Sequence, residues 1–551
     1  MTAKAAIFHH PDAIESDQTP LAGRRAAGQS FLGGYVRHSG AERLSCVTYT
    51  KAHIDHFRET VTSYGWTGPV DGTLIGDLKG LSAFDAIMLP GPTIGTYAWQ
   101  RRRAGTGLYS LVGITHTVST RRIMDGLFDL LAAPVEPWDA IICTSEAVKS
   151  VVAAELEEGA RYLTARLGAR RIPLPQMPVI PLGIDTGRFA HDPAQRARWR
   201  QELDIADDAI VLMSMGRLSV FEKMHPAPLF LAAARAAKET RRTVVLLMTG
   251  WFGDDKAKEL HENAAKDLAP DVRVLFPDGK DPDLRYSIWS AADIFTLPVD
   301  NIQETFGLVP VEAMAAGLPV VCSDWNGFRD TVVDGETGIR VTTRMMRPGM
   351  GQGFADRFAD QADNYHQYLG IVHQRTAVDV REMAEALIGL INAPERRKAM
   401  GEAGLKRARA VYDWSVVIPQ YQALWADLAE RRARGTPSSD RRGAEAGHPA
   451  AIDPFRLYGT YPTGTLGPSA QFTADAPVDA ERIEELIALT GAKTVRRIVA
   501  STDVVVQVQS LIARRGPISF AELLARQKDA PGMMEAILLW MLKYDLIQVA
   551  D

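Results

Sequence analysis

Glu304 and Glu312, eight positions apart in ETFGLVPVEAMAAGLPVV, are the pair whose type and spacing most readily do chemistry. If a helix opens at Glu304, the separation is a little over two turns. Both carboxylates then fall on one face and can accept from two separated hydroxyl groups of one ligand. The N–H groups of Thr305, Phe306, Gly307 and Leu308 would stand at that helix's amino terminus, open to an anion or a sugar hydroxyl. Arg217 and Lys223 follow an apolar run in MGRLSVFEKMHP; an arginine suits bidentate contact with phosphate oxygens and a lysine supplies a compact charge. His116 closes the apolar run in GITHTVST. Gly28, with Gly23, Gly33 and Gly34, makes LAGRRAAGQSF and its continuation a loop that permits close approach to phosphate or sugar, and Arg24 and Arg25 add charge. His9 and His10, after the first strand, are weaker candidates for acceptor contact. Each of these has a plainer alternative: surface glutamates, solvated arginines, a histidine satisfied in the core.

The elements that must position these residues follow from alternating strand-like and helix-like runs. Strands are expected at 5–8, 44–48, 85–89, 112–115, 140–143 and 178–180, then at 210–214, 243–248, 272–276, 294–297 and 318–322, with the glycine loop leading into a helix at 29–38. Strands separated by helical stretches argue for parallel, doubly wound sheets with function at the strands' carboxyl ends. Further helices are expected at 283–291, 380–391 and 394–411. Ser145 opens another, in ICTSEAVKSVV, as a plain helix start. Residues 341–378 read as a long Met- and Gly-rich loop able to cover a ligand. From 431 to about 470 Arg, Gly, Ser, Pro and Ala dominate, which suits a linker. Residues 471–551 are apolar-periodic and helical, with the outline of a small winged-helix-like bundle. The helix that would enter a DNA groove is Met, Leu and Trp, with Lys543 its one cation, so packing or oligomerisation is favoured over nucleic acid.

A chain of 551 residues is too long for one core. A net charge of −5 gives no field to hold nucleic acid or an anionic bilayer. The three cysteines, Cys46, Cys143 and Cys322, sit in apolar runs and read as reduced core thiols, which points to the cytoplasm. No run reaches the roughly 18 apolar residues that span a bilayer, and attachment to a membrane surface stays open.

Glu304 and Glu312 with seven residues between, Phe-Gly after the first and Ala-Ala-Gly-x-Pro-Val-Val after the second, resemble the E-x7-E signature of retaining GT-B glycosyltransferases, most closely family 4. With GITHTVST, VIPLGIDTGRF at 179–189 as an interdomain hinge, the Arg217 and Lys223 loop, and YDWSVVIPQYQALWADL as a last helix crossing back on Trp414 and Trp425, the resemblance covers about residues 5–430. It implies an α/β GT-B fold: two Rossmann-like domains facing a cleft, 1–183 on the acceptor side and 184–430 binding a nucleotide sugar, then the 431–470 linker and the 471–551 mainly helical extension. It implies transfer of a sugar from a nucleoside-diphosphate donor to a saccharide, lipid-linked or other acceptor, with retention of configuration and no further cofactor. No Asp-x-Asp stands in a strand-end loop, since Asp281-Pro282-Asp283 reads as a helix start, so no metal is expected. In it Glu304 accepts from a donor-sugar hydroxyl, assisted by the amides of Phe306, Gly307 and Leu308. Glu312 takes the ribose hydroxyls, Arg217 and Lys223 stabilise the diphosphate, and His116 lies by the transferred sugar. Lys223 stands one residue farther from Arg217 than the family pattern, and LAGRRAAGQSF lacks its usual paired glycine. In family members the loop equivalent to the one after 272–276 contacts the base through backbone, which leaves uridine, guanosine and adenosine diphosphates open. Two rivals share the fold: another GT-B enzyme such as a sugar-nucleotide epimerase, and an inactive scaffold acting through a homo-oligomer or protein partner at 471–551.

Overall fold

The computed structural model describes residues 4–13, 23–437, 447–467, 469–489, 501–526 and 531–550. Its strands are short Val-, Ile-, Leu- and Ala-rich runs, mostly buried on both faces, as parallel strands covered by helices must be. The first sheet holds β1 (Ala5–Phe8), β2 (Leu44–Thr48), β3 (Val70–Leu74), β4 (Ala86–Met88), β5 (Ser110–Ile114) and β6 (Ala140–Ile142) in the order β3-β2-β1-β4-β5-β6, all parallel. The second holds β7 (Ile210–Leu218), β8 (Val244–Phe252), β9 (Arg273–Leu275), β10 (Ile294–Leu297), β11 (Val320–Ser323) and β12 (Gly338–Val341) in the order β12-β11-β10-β7-β8-β9, again all parallel. Both orders are 3-2-1-4-5-6 within their sheet. The crevice at the carboxyl ends therefore opens where the order reverses, between β1 and β4 in one and between β7 and β10 in the other.

The two halves are tied by the crossing helix, Trp414–Arg434. Trp414 Nε1 donates to Ser30 Oγ at 2.8 Å, Gln422 Nε2 to Ser39 O at 2.7 Å, and Arg432 pairs with Asp85 at 2.9 Å. Trp414 and Trp425 are both buried, as packing anchors should be. The indole of Trp414 lies against Gly34 and Gly183, where an added Cβ would come within 2.4 and 2.5 Å of it. Ile184 N and Trp414 N exchange hydrogen bonds with Tyr412 O and Ile184 O, so the outgoing and returning chains cross side by side.

Several expectations need correction. Gly28 is not in a loop: it lies within the helix Gly23–His38, which takes up most of the glycine segment, while 14–22 and the side chains of Arg24 and Arg25 lie outside the described residues. Val70–Leu74 is a strand the hydropathy pattern hid, because VDGTL is half polar at the sheet's edge. The 178–180 run forms only one bridge, Val179 with Cys143, and just before it Gln176 bridges to Ala140. Residues 341–378 are no loop: antiparallel strands β13 (Thr343–Met345) and β14 (Thr376–Val378) close an excursion containing helices Gln352–Ala359 and Tyr365–His373, the latter started by an Asn364 and Gln367 capping box. The crossing helix continues through Arg434, past the expected boundary at 430.

The chain divides into two compact units at His448. In the second unit β15 (Gln471–Thr473), β16 (Ile518–Ser519) and β17 (Gln548–Ala550) form a small antiparallel sheet with helices Ala480–Leu489, Thr502–Arg515, Phe520–Arg526 and Pro531–Lys543. Met534, Ile537, Leu538 and Met541 of the last helix join Phe472, Ile483 and Ile512 in that unit's own core. Among the described residues no helix is long and apolar enough to cross a membrane.

Candidate active site

The site is built where the second sheet reverses. β7 and β10 are neighbours, Phe295 opposite Met213, so the chain leaving each strand reaches the same crevice although some eighty residues separate them. β7 runs on through Arg217, which thus stands at a strand end rather than in a loop. The following turn carries Glu222 and Lys223, and the chain after β10 carries Glu304.

Glu304 is not in a helix. The helix is Leu308–Ala315, with Gly307 as its N-cap at φ +98° and Glu304 three residues ahead in the connecting loop. The two carboxylates therefore do not share a helix face; the Phe-Gly turn between them breaks the helical register. Gly307 is required for two reasons. Its φ is left-handed, and a Cβ there would sit 2.5 Å from the Phe328 ring.

The Glu304 carboxylate receives Lys223 Nζ at 2.6 Å on one oxygen and Thr305 N at 3.3 Å on the other. Burial works to raise its pKa. The Lys223 ion pair and hydrogen bond, with the amides of Thr305 and Phe306, outweigh it and hold the carboxyl below its usual value. Those two amides thus serve Glu304 itself, while Gly307 and Leu308 open a helix with no side-chain cap. The loop is held from across the crevice. Thr305 Oγ1 donates to the His116 carbonyl at 2.8 Å, and Ser145 Oγ donates to the Thr305 carbonyl at 2.7 Å. Asn326 Nδ2 donates to the Glu304 carbonyl at 2.8 Å. His116 thus meets the Glu304 loop through its backbone, just past β5. Ser145, besides capping its own helix, is a positioning contact that its sequence context marked only as a helix start.

Arg217 Nη1 donates to the Glu222 carboxylate. Behind these cations three backbones approach closely. Gly216 lies opposite Gly250 in the β7–β8 register, Gly250 bridges to Asp278, and Gly279 N donates to Gly250 O at 2.8 Å. A Cβ on Gly250 would fall 1.8 Å from the Gly216 carbonyl oxygen. The sequence signal was present, since a glycine stands near the carboxyl end of β7 and of β8 and shortly after β9 (MSMG, LMTG, FPDG), but only the register shows that the three converge.

Glu312 is different in kind. It is partly buried in the Leu308–Ala315 helix with no side-chain partner among the described residues. Burial pushes its pKa up to about 7 against the opposing pull of Arg285 and Lys223. The folded protein therefore holds this proton more tightly than the unfolded chain, and the stability it brings is present below about 4.5 and lost as pH rises through about 7. Glu312→Gln is expected to remove that decline, seen as a melting-temperature difference from the parent that grows between pH 5 and pH 8; parallel profiles would contradict it.

Comparison with known proteins finds a family match over the site. Residues 195–346, which include Arg217, Lys223, Glu304 and Glu312, match the model of glycosyl transferases group 1. This stretch of the second Rossmann-like half is thus similar to glycosyl transferases group 1. Relatives include D-inositol 3-phosphate glycosyltransferase of Corynebacterium aurimucosum, 29% identical over 252 residues, 45% of this chain and 51% of that protein. The GDP-mannose-dependent alpha-(1-6)-phosphatidylinositol monomannoside mannosyltransferase of Mycolicibacterium smegmatis is 30% identical over 275 residues, 49% of this chain and 59% of that protein. The chain thus matches about half the length of the first of these. The structure of Anabaena HepE in complex with UDP aligns over 77% of this chain and 100% of its own at 16% identity and a TM-score of 0.51, which shows the shared GT-B fold.

Proposed function

We propose that the chain is a glycosyltransferase that moves a sugar from a nucleoside-diphosphate sugar to an acceptor, with retention of configuration and without metal. The observation that supports it most is the pairing of Lys223 with Glu304 at the β7/β10 reversal, with Arg217 at the end of β7 paired to Glu222 of the same turn, all within the stretch similar to glycosyl transferases group 1. As the glycosidic bond breaks, negative charge grows on the distal phosphate. Two fixed cations stabilise that charge more in the transition state than in the ground state, which is the charge neutralisation a metal would otherwise provide. Glu304, kept ionised by Lys223, accepts from a hydroxyl of the transferred sugar. Glu312, lacking a protein partner among the described residues, accepts from the ribose. The His116 segment, bonded to Thr305, borders the same sugar from the acceptor-side half.

The test is a melting-temperature panel with UDP, GDP, ADP and their sugars against inorganic phosphate. A ligand that binds only the folded state raises the midpoint, by about 2.7 kcal/mol of stabilisation at a hundredfold excess over Kd. One nucleotide series is expected to shift it, and the matching donor then goes into an acceptor screen that includes D-inositol 3-phosphate. Transfer in that screen is expected to survive a chelator. No shift with any nucleotide would favour the scaffold reading, and chelator loss restored by added metal would overturn the metal-free part.

A further inference from the structure

The cations of the site are not waiting unpaired. Lys223 is held by Glu304, and Arg217 by Glu222. Glu304 is needed where it is, but Glu222 has no such place in the chemistry: its carboxylate lies on the guanidinium that a diphosphate must reach. Two anions cannot both take the same fork of an arginine without mutual repulsion, so phosphate and Glu222 compete for Arg217.

Glu222 has a second neighbour. Its other oxygen lies 3.6 Å from His366 Nδ1, on the helix Tyr365–His373 of the 343–378 excursion. That helix is seated firmly on the same turn. The Phe221 ring packs edge-on against His366 at 4.6 Å and His373 at 5.8 Å. A Cβ at Gly370 would come within 2.8 Å of that ring. At its start, Tyr365 shares a hydrogen bond of 2.9 Å with Ser119, three residues past His116 in the other half. The excursion therefore links the acceptor-side half to the counter-ion of Arg217.

We propose that Glu222 is an exchangeable counter-ion that screens the diphosphate subsite on Arg217, and that His366 receives it when phosphate takes its place. No covalent bond changes: the Arg217 to Glu222 ion pair is replaced by Arg217 to phosphate and His366 to Glu222. Because the inference rests on the nucleotide-sugar reading, wild-type binding of a nucleoside diphosphate is measured first, and its failure would count against that reading instead.

The experiment is calorimetric titration of the full chain with UDP, GDP and ADP and with their monophosphates, which lack the distal phosphate. Glu222→Gln is expected to tighten the diphosphate that binds by about tenfold and leave its monophosphate within twofold. His366→Phe, which keeps a ring against Phe221, is expected to weaken the diphosphate several-fold in the parent and not at all in Glu222→Gln. Glu222→Asp should restore parent behaviour in part. A Glu222→Gln affinity for the diphosphate that is unchanged or weaker, or an equal change for the monophosphate, would overturn the proposal. So would an undiminished His366→Phe effect in the double variant. Melting curves of each variant separate these results from misfolding.

Discussion

Glu304→Ala is expected to lower kcat/KM by about 10³-fold, the scale set by loss of one preorganised polar group that acts on the reacting sugar. The effect should fall on kcat. Lys223 loses its carboxylate but stays beside the diphosphate, so affinity for the nucleotide is kept or improved while turnover collapses. Removing one partner of a pair whose side chains are each only 17% exposed leaves Lys223 without its anion. Complete burial of such an orphan would cost about 3–5 kcal/mol, and partial exposure reduces that. A modest fall in melting temperature is therefore part of the prediction. Glu304→Gln, which retains a neutral acceptor for Lys223, should be closer to parent in stability and equally poor in turnover. Steady-state kinetics with the identified donor, alongside melting curves, tests this. A folded Glu304→Ala protein turning over at the parent rate would remove Glu304 from the chemistry.

The same residue shows what sequence could and could not tell. The eight-residue spacing from Glu304 to Glu312 was informative, yet the geometric reason first attached to it, one helix face, is wrong, because Gly307 adopts a left-handed conformation and the helix begins only at Leu308. Strand positions were legible where runs were buried on both faces, as at Ala5–Phe8 and Ile294–Leu297, and illegible at Val70–Leu74, where half the residues face outward. The meeting of Lys223 with Glu304 is a consequence of strand order: β7 and β10 are neighbours only because the sheet reverses there, and no local pattern encodes that. The excursion at 343–378 was misread for a related reason. Its opening TRMMRPGMGQGF has loop composition, and the helix that matters, Tyr365–His373, owes its place to packing on Phe221 and to Ser119, both distant in sequence.

Gly250→Ala should be the most damaging small substitution outside the charged residues. The added methyl would stand 1.8 Å from the Gly216 carbonyl oxygen and 3.3 Å from Leu218 Cγ, and the first of these is backbone that cannot swing aside. Overpacking of this kind costs about 1–3 kcal/mol even when neighbours relax. Gly216 has little freedom to relax toward the site, because Lys223 Cε lies 3.2 Å from the position of its own absent Cβ. The end of β7 must move instead, and Arg217 with it, since Arg217 is the next residue. A displacement of about 1 Å in a group that meets the developing charge costs about 10²-fold in rate. Gly250→Ala is thus expected to melt several degrees lower and to lose about two orders of magnitude in kcat/KM. Gly253→Ala, where a Cβ would meet nothing within 4 Å, should match the parent in both and serves as the control. A Gly250→Ala protein with parent kinetics would mean that the close approach of the three glycine backbones does not aim Arg217, and that the strand end tolerates the shift without passing it on.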